Sequence, residues 1–473
     1  MTAATATGLA ATVDVAHESG STRIGPRADA ADLRVTMGEP LRLAILVGRE
    51  PAKVAAAHAV ALGANADLVL TLGAAEAGTL LERASALREA RPNAGLVIAD
   101  KGDVQGMIEL VEALRLGCAA GANTPFLLVS ADEKARARIT ASAGALRSEA
   151  IPAPTTPSAR EAIVTRLRAL RRGGGDIVLR DEAIESAARS LALATGRAAL
   201  VLDVSGSSTS LALVQPNGAL TAAHSRLGVG SGADRVVARS GLDRVRRWMP
   251  RAIDAPALLE RVFNRARWPD AVAPSVLTLA LEMSLAREAL AHLLRDSGRA
   301  GLNMGAIANV RWIVATGQLA RFPRAAQTAL VVLDALLPNG TKLISRERPD
   351  ALVVAGAIAT RSATDVAGMT EDLALVTSLS PKRATTLTVT DDTGATSEKV
   401  VRGAFFLMPT TGPVQITFAG SAARESAGSL ALGVIVDARG RPLEIPQRDA
   451  ERLPTIARWY SAVACLPIDE GTL

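Results

Sequence analysis

A chain of 473 residues is long enough to bury a substantial core and predicts about two to four domains. Its 49% hydrophobic content comes mainly from Ala, Leu and Val, while aromatics supply 2%, which points to close helix–sheet packing among small side chains and so to an α/β protein. The net charge is +6, but 53 basic residues are balanced by 47 acidic ones and few aromatics are present for base stacking, which argues against a nucleic-acid partner.

Cys118 and Cys465 lie far apart, with no CxxC pair or Cys/His cluster, so neither a disulfide framework nor a zinc site is indicated. No run of 18 apolar residues lacks a charge or a helix breaker, and the first twenty residues have no basic segment followed by an apolar block. These features predict a cytoplasmic protein with no membrane association. Two basic clusters, Arg166, Arg168, Arg171 and Arg172, then Arg244, Arg246, Arg247 and Arg251, read as solvated helix faces.

In chain order, residues 1–38 are rich in Ala, Thr, Ser and Gly without sustained periodicity, and read as a flexible tail. From Leu41 strands alternate with helices: LRLAILVG, PAKVAAAHAVALG, ADLVLTLG, AAEAGTLLERASALREA, NAGLVIAD, DVQGMIELVEALRLG and TPFLLVS. That alternation predicts a parallel, helix-covered sheet, and residues 39–190 are taken as one α/β domain. Pro152, Pro154 and Pro157, with the break at Gly173–Gly175, mark a hinge. A second α/β domain is expected over 191–371, with a hairpin at 199–214, a long helix at 274–296, a strand at 310–316 and an apolar segment at 350–359. Residues 372–473 change to short β-type runs separated by DDTG, TTG and ESAG turns, and predict a β-rich domain closed by a helix bearing Trp459 and Tyr460. No internal repeat is apparent.

The stretch VLDVSGSSTSLALV at 201–214 is written like a phosphate-holding hairpin. Gly and small residues let backbone N–H groups approach phosphate oxygens, and an Asp on the strand can hold a Mg²⁺-bound water. Asp203, Gly206, Ser207, Ser208 and Thr209 fit those roles, with Asp203 the candidate Mg²⁺ residue, although a Ser/Gly hairpin also serves as a plain turn. The segment GVGSGADR at 228–235 puts Gly228 and Gly230 at the start of a helix, where its N–H groups can hold an anion or Ser231 can act as N-cap. In VATGQLAR at 314–321, Thr316 and Gly317 form a strand-to-helix turn; Gly356 lies in the apolar segment beyond. His17, His58, His224 and His292 are isolated and read as structural or surface residues, and neither a GxSxG elbow nor a Walker A motif is present.

Hairpin, helices, strand-ATG turn, helix and apolar segment follow the layout of the second half of an actin-like ATPase. Through LVLDVSGSSTSLALV, SRLGVGSGADRVVARSGLDRVRRWMP, LEMSLAREAL, WIVATGQLARFPRAAQTALVVLDALLPNGTKL and LVVAGAIA the chain resembles the glutamate mutase L family. The resemblance implies an actin/Hsp70-like (ribonuclease H-like) fold with a shortened first half, and an accessory, chaperone or reactivating role toward an adenosylcobalamin-dependent mutase. It also implies a site for Mg-ATP or Mg-ADP, none of it tightly bound, formed by Asp203, Gly206, Ser207, Ser208, Thr209, Gly228, Gly230, Thr316, Gly317 and Gly356.

This sequence departs from the family pattern. The family hairpin D-I-G-G-A-T-T-D is written Asp203, Val204, Ser205, Gly206, Ser207, Ser208, Thr209 and Ser210, and the ATGG turn ends in Gln318. A family VGG-D-GG segment appears as Val47, Gly48, Arg49 and Glu50. The family's first hairpin has one local candidate, Asp14 with Gly20, Ser21 and Thr22, whose flanking strands are not evident. Charge in a phosphoryl-transfer transition state needs donors from both halves. The expectation is therefore a pseudo-ATPase; a working Mg-ATPase and a small-molecule kinase of the same fold are the alternatives.

Overall fold

The computed structural model describes residues 12–16, 21–24, 32–99, 102–118, 124–172, 176–362, 364, 366, 368–381, 383–419 and 424–466. The first strands are β1 (Val13–Ala16), β2 (Ser21–Ile24) and β3 (Leu33–Thr36). β2 pairs antiparallel with β1 and β3 parallel to it, burying Val13, Val15, Leu33 and Val35 on one face. The expected tail over 1–38 therefore contains three strands of a sheet. They are short and interrupted by polar residues, which hid them from a periodicity argument.

The chain next leaves this sheet to build β4 (Arg42–Val47), β5 (Asp67–Gly73), β6 (Ala94–Ile98), β7 (Phe126–Ser130) and β8 (Ser148–Ala150), all parallel in the order β5-β4-β6-β7-β8. Their apolar runs suit strands covered on both faces. Helices Pro51–Gly63 and Pro157–Arg172 cover one face through Ala57, Val60, Ile163 and Leu167. Helices Leu80–Ala90, Val104–Cys118 and Glu133–Ala143 cover the other. Thr79 caps one of these helices with a reciprocal Glu82 box, and Asp132 caps another through the Ala135 N–H. The chain then returns as β9 (Ile177–Leu179), which pairs parallel with β3. The doubly wound unit is thus an insertion between neighbouring strands of one sheet, and the 39–190 domain expected from the sequence is divided: its first part is the insertion, while β9 and the helix after it belong with β1–β3. The prolines 152, 154 and 157 lead into a helix of the same unit, and Gly173–Gly175 lie outside the described residues.

The second half opens with the antiparallel meander β10 (Ala199–Val204), β11 (Thr209–Val214) and β12 (Leu220–Ser225), joined by parallel β13 (Trp312–Gly317) and β14 (Gly340–Glu347). The order β12-β11-β10-β13-β14 is consistent with an actin-like half. Helix Val276–Arg299, capped by Ser275, and helix Ala325–Leu336 cover its outer face.

Beyond residue 370 the chain forms β15 (Thr370–Ser378), β16 (Thr385–Asp391), β17 (Gly394–Val400), β18 (Phe405–Met408), β19 (Pro413–Phe418), β20 (Arg424–Ser429) and β21 (Gly433–Asp437). β15, β21 and β18 extend the β10–β14 sheet to eight strands, while β17-β16-β19-β20 form a sheet of their own. Ile456, Trp459 and Tyr460 of helix Asp449–Ala462 join the core beneath helix Val276–Arg299. The texture change expected at 372 is present, but the main sheet runs through that boundary.

The two halves repeat one plan that the sequence does not display. β2-β1-β3-β9 and β11-β10-β13-β14 are each a hairpin followed by two parallel strands, the last leading to a helix: Arg180–Thr195 after β9 and Ala351–Ala359 after β14. Those helices pack together in a shared core between the two sheets. Their close approach requires Gly356, where an added Cβ would collide with the Ala183 carbonyl. Gly356 is therefore a helix-contact residue inside Ala351–Ala359, not part of a phosphate loop. By helix propensity alone Gly356→Ala would stabilise by about 1 kcal/mol. The collision reverses the sign, and denaturant unfolding of Gly356→Ala is expected to show a loss of about 1–3 kcal/mol.

Candidate functional site

β10 carries Asp203 into the centre of the molecule, in register with Thr316 on β13. The carboxylate is fully buried, and both oxygens are taken. Arg180, the first residue of helix Arg180–Thr195, donates from Nε to Oδ2 at 3.0 Å and from Nη2 to Oδ1 at 2.7 Å; Thr316 Oγ1 donates to Oδ1 at 2.8 Å. The cation facing Asp203 is thus a guanidinium belonging to the chain. Asp203, the expected Mg²⁺ residue, is engaged on both oxygens by groups of the chain itself.

Several other hairpin groups are likewise used within the protein. Ser205 N–H donates to the Ser208 carbonyl at 2.8 Å, Ser208 N–H donates to Ser205 Oγ at 3.0 Å, and Thr209 Oγ1 donates to the Leu227 carbonyl at 2.8 Å. Ser208 Oγ also approaches Met37 Sδ at 3.7 Å, so the hairpin touches the segment just after β3. Gly206 offers its carbonyl to the N–H groups of Gly230 and Gly232, at 2.8 and 2.9 Å. Gly228 lies so close that a Cβ there would strike the Gly206 carbonyl. The structure therefore brings Gly206, Ser208, Thr209, Gly228 and Gly230 together, but their polar groups face one another. Ser207, half-buried at the tip, completes the turn. Helix Ala233–Ser240 begins from Gly232, with no side-chain cap, so Ser231 is not the N-cap. Among the candidate nucleotide groups the acid is paired within the chain, and the N–H groups of Ser205, Ser208 and Gly230 are engaged by neighbouring oxygens.

Gly317 has a φ of +64°, and an added Cβ would lie 2.5 Å from Asp203 Oδ1 and 2.6 Å from the Val204 carbonyl. Its N–H donates to Glu347 Oε1 at 2.9 Å, while Leu352 N–H donates to Oε2 at 3.0 Å. Gln318 turns its amide toward Glu282 at 3.4 Å. Burial, then repulsion from Asp350, push the Glu347 carboxyl up to about 8.

Arg180 and Glu347 are the site residues that sequence reasoning missed. Arg180 stood in the polar run RDEAIES, and Glu347 beside a stretch read only as apolar. A charged residue at the junction of a buried strand and a buried helix was the available signal in both cases.

A second buried network surrounds this centre. Arg171 grips Asp181 through two hydrogen bonds of 2.9 Å and donates to the carbonyls of Ala64 and Met37, each at 2.7 Å. Arg168 donates to both Glu185 oxygens, at 3.0 and 2.5 Å, and His224 lies 2.9 Å from Glu185 Oε1. Arg168 and Arg171 are buried, which corrects their assignment to a solvated face; Arg166 and Arg172 remain partly exposed. Burial opposes ionisation of Glu185, yet Arg168 and His224 hold its carboxyl down to about 2.

Asp14 is placed on β1 as Asp203 is on β10, in register with Arg23 and Arg34, and its Oδ1 is buried without a hydrogen-bond partner. The flanking strands that the sequence left out of sight exist as β1 and β2; Ser21 and Thr22 open β2, and Gly20 lies outside the described residues.

No family model matches the chain, and no curated protein matches it. Among solved structures, ethanolamine utilization protein EutJ from Carboxydothermus hydrogenoformans is similar at 15% identity, covering 55% of this chain and 75% of that one with a TM-score of 0.23. No helix among the described residues is long and apolar enough to cross a membrane.

Glu347 has a pH signature. Its carboxyl keeps a proton up to about 8, whereas the unfolded chain releases it near 4.5, so the native state binds more protons between those values. This group's contribution to stability therefore falls as pH rises through that window. Thermal melts of Glu347→Gln and the parent chain should diverge in the variant's favour between pH 5.5 and 8.5, even if the amide adds a pH-independent offset. Parallel Tm profiles would show that Glu347 does not hold a proton there.

Proposed function

We propose that this chain is an actin-like accessory protein in which a built-in ion pair has replaced the metal-nucleotide switch, so that it works by binding a partner and not by hydrolysing ATP. The observation that carries this is the Arg180–Asp203 pair, which joins the helix after β9 to the first strand of the second half. In a nucleotide-driven member of this fold class, phosphate charges draw donors from two halves together. Here Arg180 supplies the bridging charge permanently, and the Ser205–Ser208 and Gly206–Gly230 contacts close the hairpin on itself. The halves are held as one frame without a ligand.

The partner implied by the sequence resemblance is an adenosylcobalamin-dependent mutase, on which the chain would act as a chaperone or reactivating factor in the cytoplasm. Two measurements test these claims separately. Purified chain should show no Mg²⁺-dependent ATP hydrolysis beyond that of Asp203→Asn; hydrolysis that Asp203→Asn abolishes would sink the pseudo-ATPase assignment. Added to such a mutase inactivated by hydroxocobalamin, the chain should restore adenosylcobalamin-dependent turnover without ATP. Failure to bind or reactivate the mutase would remove that partner and leave the first claim standing.

A further inference from the structure

A cavity of about 650 Å³ separates the inserted unit from the second half, between helix Pro51–Gly63, β5, the end of β12 and the helices Ala233–Ser240 and Val276–Arg299. That volume lies within the range of small-molecule sites. Its wall is cationic. Arg42 and Arg299 are matched by Asp67 at 3.7 Å and Asp296 at 3.4 Å, but Arg226, Arg235 and Arg239 have no side-chain hydrogen bond or ion pair among the described residues.

Arg226 is the decisive one. Its Nη1 is buried and without a partner. The two nearby carboxylates, Asp67 and Asp181, are engaged by Arg42 and by Arg171 respectively. Burial, reinforced by Arg171 and Arg235, pushes the Arg226 guanidinium below its ordinary value. Arg226 is half-buried, and a buried guanidinium nitrogen left without a partner is costly unless something compensates it. Two imidazoles line the same wall: His224 Nδ1 is buried without a hydrogen-bond partner, and burial lowers His58.

We infer that this cavity is a binding site for a small phosphate-bearing ligand, held by Arg226 with Arg235 and Arg239. One half-buried guanidinium and two exposed ones without a carboxylate partner suit a multiply charged ligand, and the planar fork of Arg matches phosphate oxygens. The volume leaves room for an organic body beyond one phosphate. Because Arg226 precedes Leu227, whose carbonyl receives the Thr209 hydroxyl, an occupant would bear on the hairpin as well as on the two units it bridges.

Inorganic pyrophosphate is the probe, with melts and calorimetric titrations at constant ionic strength. Pyrophosphate should raise the Tm of the parent chain by several degrees through preferential binding to the native state. Arg226→Ala should lose at least tenfold in affinity while melting no lower than the parent in the absence of ligand, because the charge removed had no partner. No binding at millimolar pyrophosphate, or equal shifts in parent and Arg226→Ala, would overturn the site. ADP binding that also depends on Arg226 would identify the source as a nucleotide; pyrophosphate binding with no ADP response would assign a non-nucleotide phosphate compound. Neither result depends on Asp203, so this site and the absence of hydrolysis stand or fall independently.

Discussion

The Arg180–Asp203 pair sets the terms for the centre of this molecule. Taking two charges out of water costs several kcal/mol per ion, and that cost is offset only by good geometry with the remaining lone pairs satisfied. Both conditions hold here, because the guanidinium meets both carboxylate oxygens and Thr316 supplies a further donor. The pair also dictates its neighbours. Gly317 must lack a side chain because Asp203 Oδ1 lies 2.5 Å from where a Cβ would stand. The Thr-Gly turn after β13, which reads as a nucleotide feature in the sequence, is thus required by an internal ion pair.

The surrounding charges extend the same logic to the insertion. Arg168 and Arg171 come from its last helix, Asp181 and Glu185 from the helix after β9, and His224 from β12, so one network touches all three parts. Arg171 and Arg168 hold Asp181 well below the usual carboxylate range despite its burial, and that contribution is lost only as pH falls through acid values. Glu347 works in the opposite direction, losing its contribution as pH rises toward 8. The two effects together favour the assembled frame above the acid range in which Asp181 protonates and below the window in which Glu347 loses its proton.

How much of this was legible follows from what sequence patterns encode. The alternation from Leu41 onward was readable because buried parallel strands are continuous apolar runs, and the 199–214 hairpin because two such runs flank a small-residue turn. Which strands pair was not readable. Nothing local in Leu33–Thr36 and Ile177–Leu179 states that they are neighbours across an insertion. The burial of Arg171 did leave a trace, since Ile163, Leu167 and Arg171 recur at helical spacing on one stripe, but an Arg-rich helix end suggests solvent more strongly. For the candidate site, Asp203, Gly206, Thr316 and Gly317 were found from pattern because pattern marks where backbone must come close. It does not say what occupies the space, and Arg180 and Glu347 came from segments with no motif.

A hairpin, a glycine loop and a Thr-Gly turn are geometric devices, and geometry persists when the charge that used it comes from another source. A diffusible nucleotide brings negative charge that leaves after use, which is what makes closure reversible. Arg180 cannot leave, so on the proposed reading the energy that would bias opening against closure is absent from this centre. A buried guanidinium nitrogen without a partner remains instead at Arg226, where the insertion meets the second half. A ligand shifts a conformational equilibrium only by its differential affinity for the two states, and an anion that engages Arg226 only when both units are in place meets that condition. On the reading proposed above, ligand control belongs at the insertion boundary and not at the hairpin.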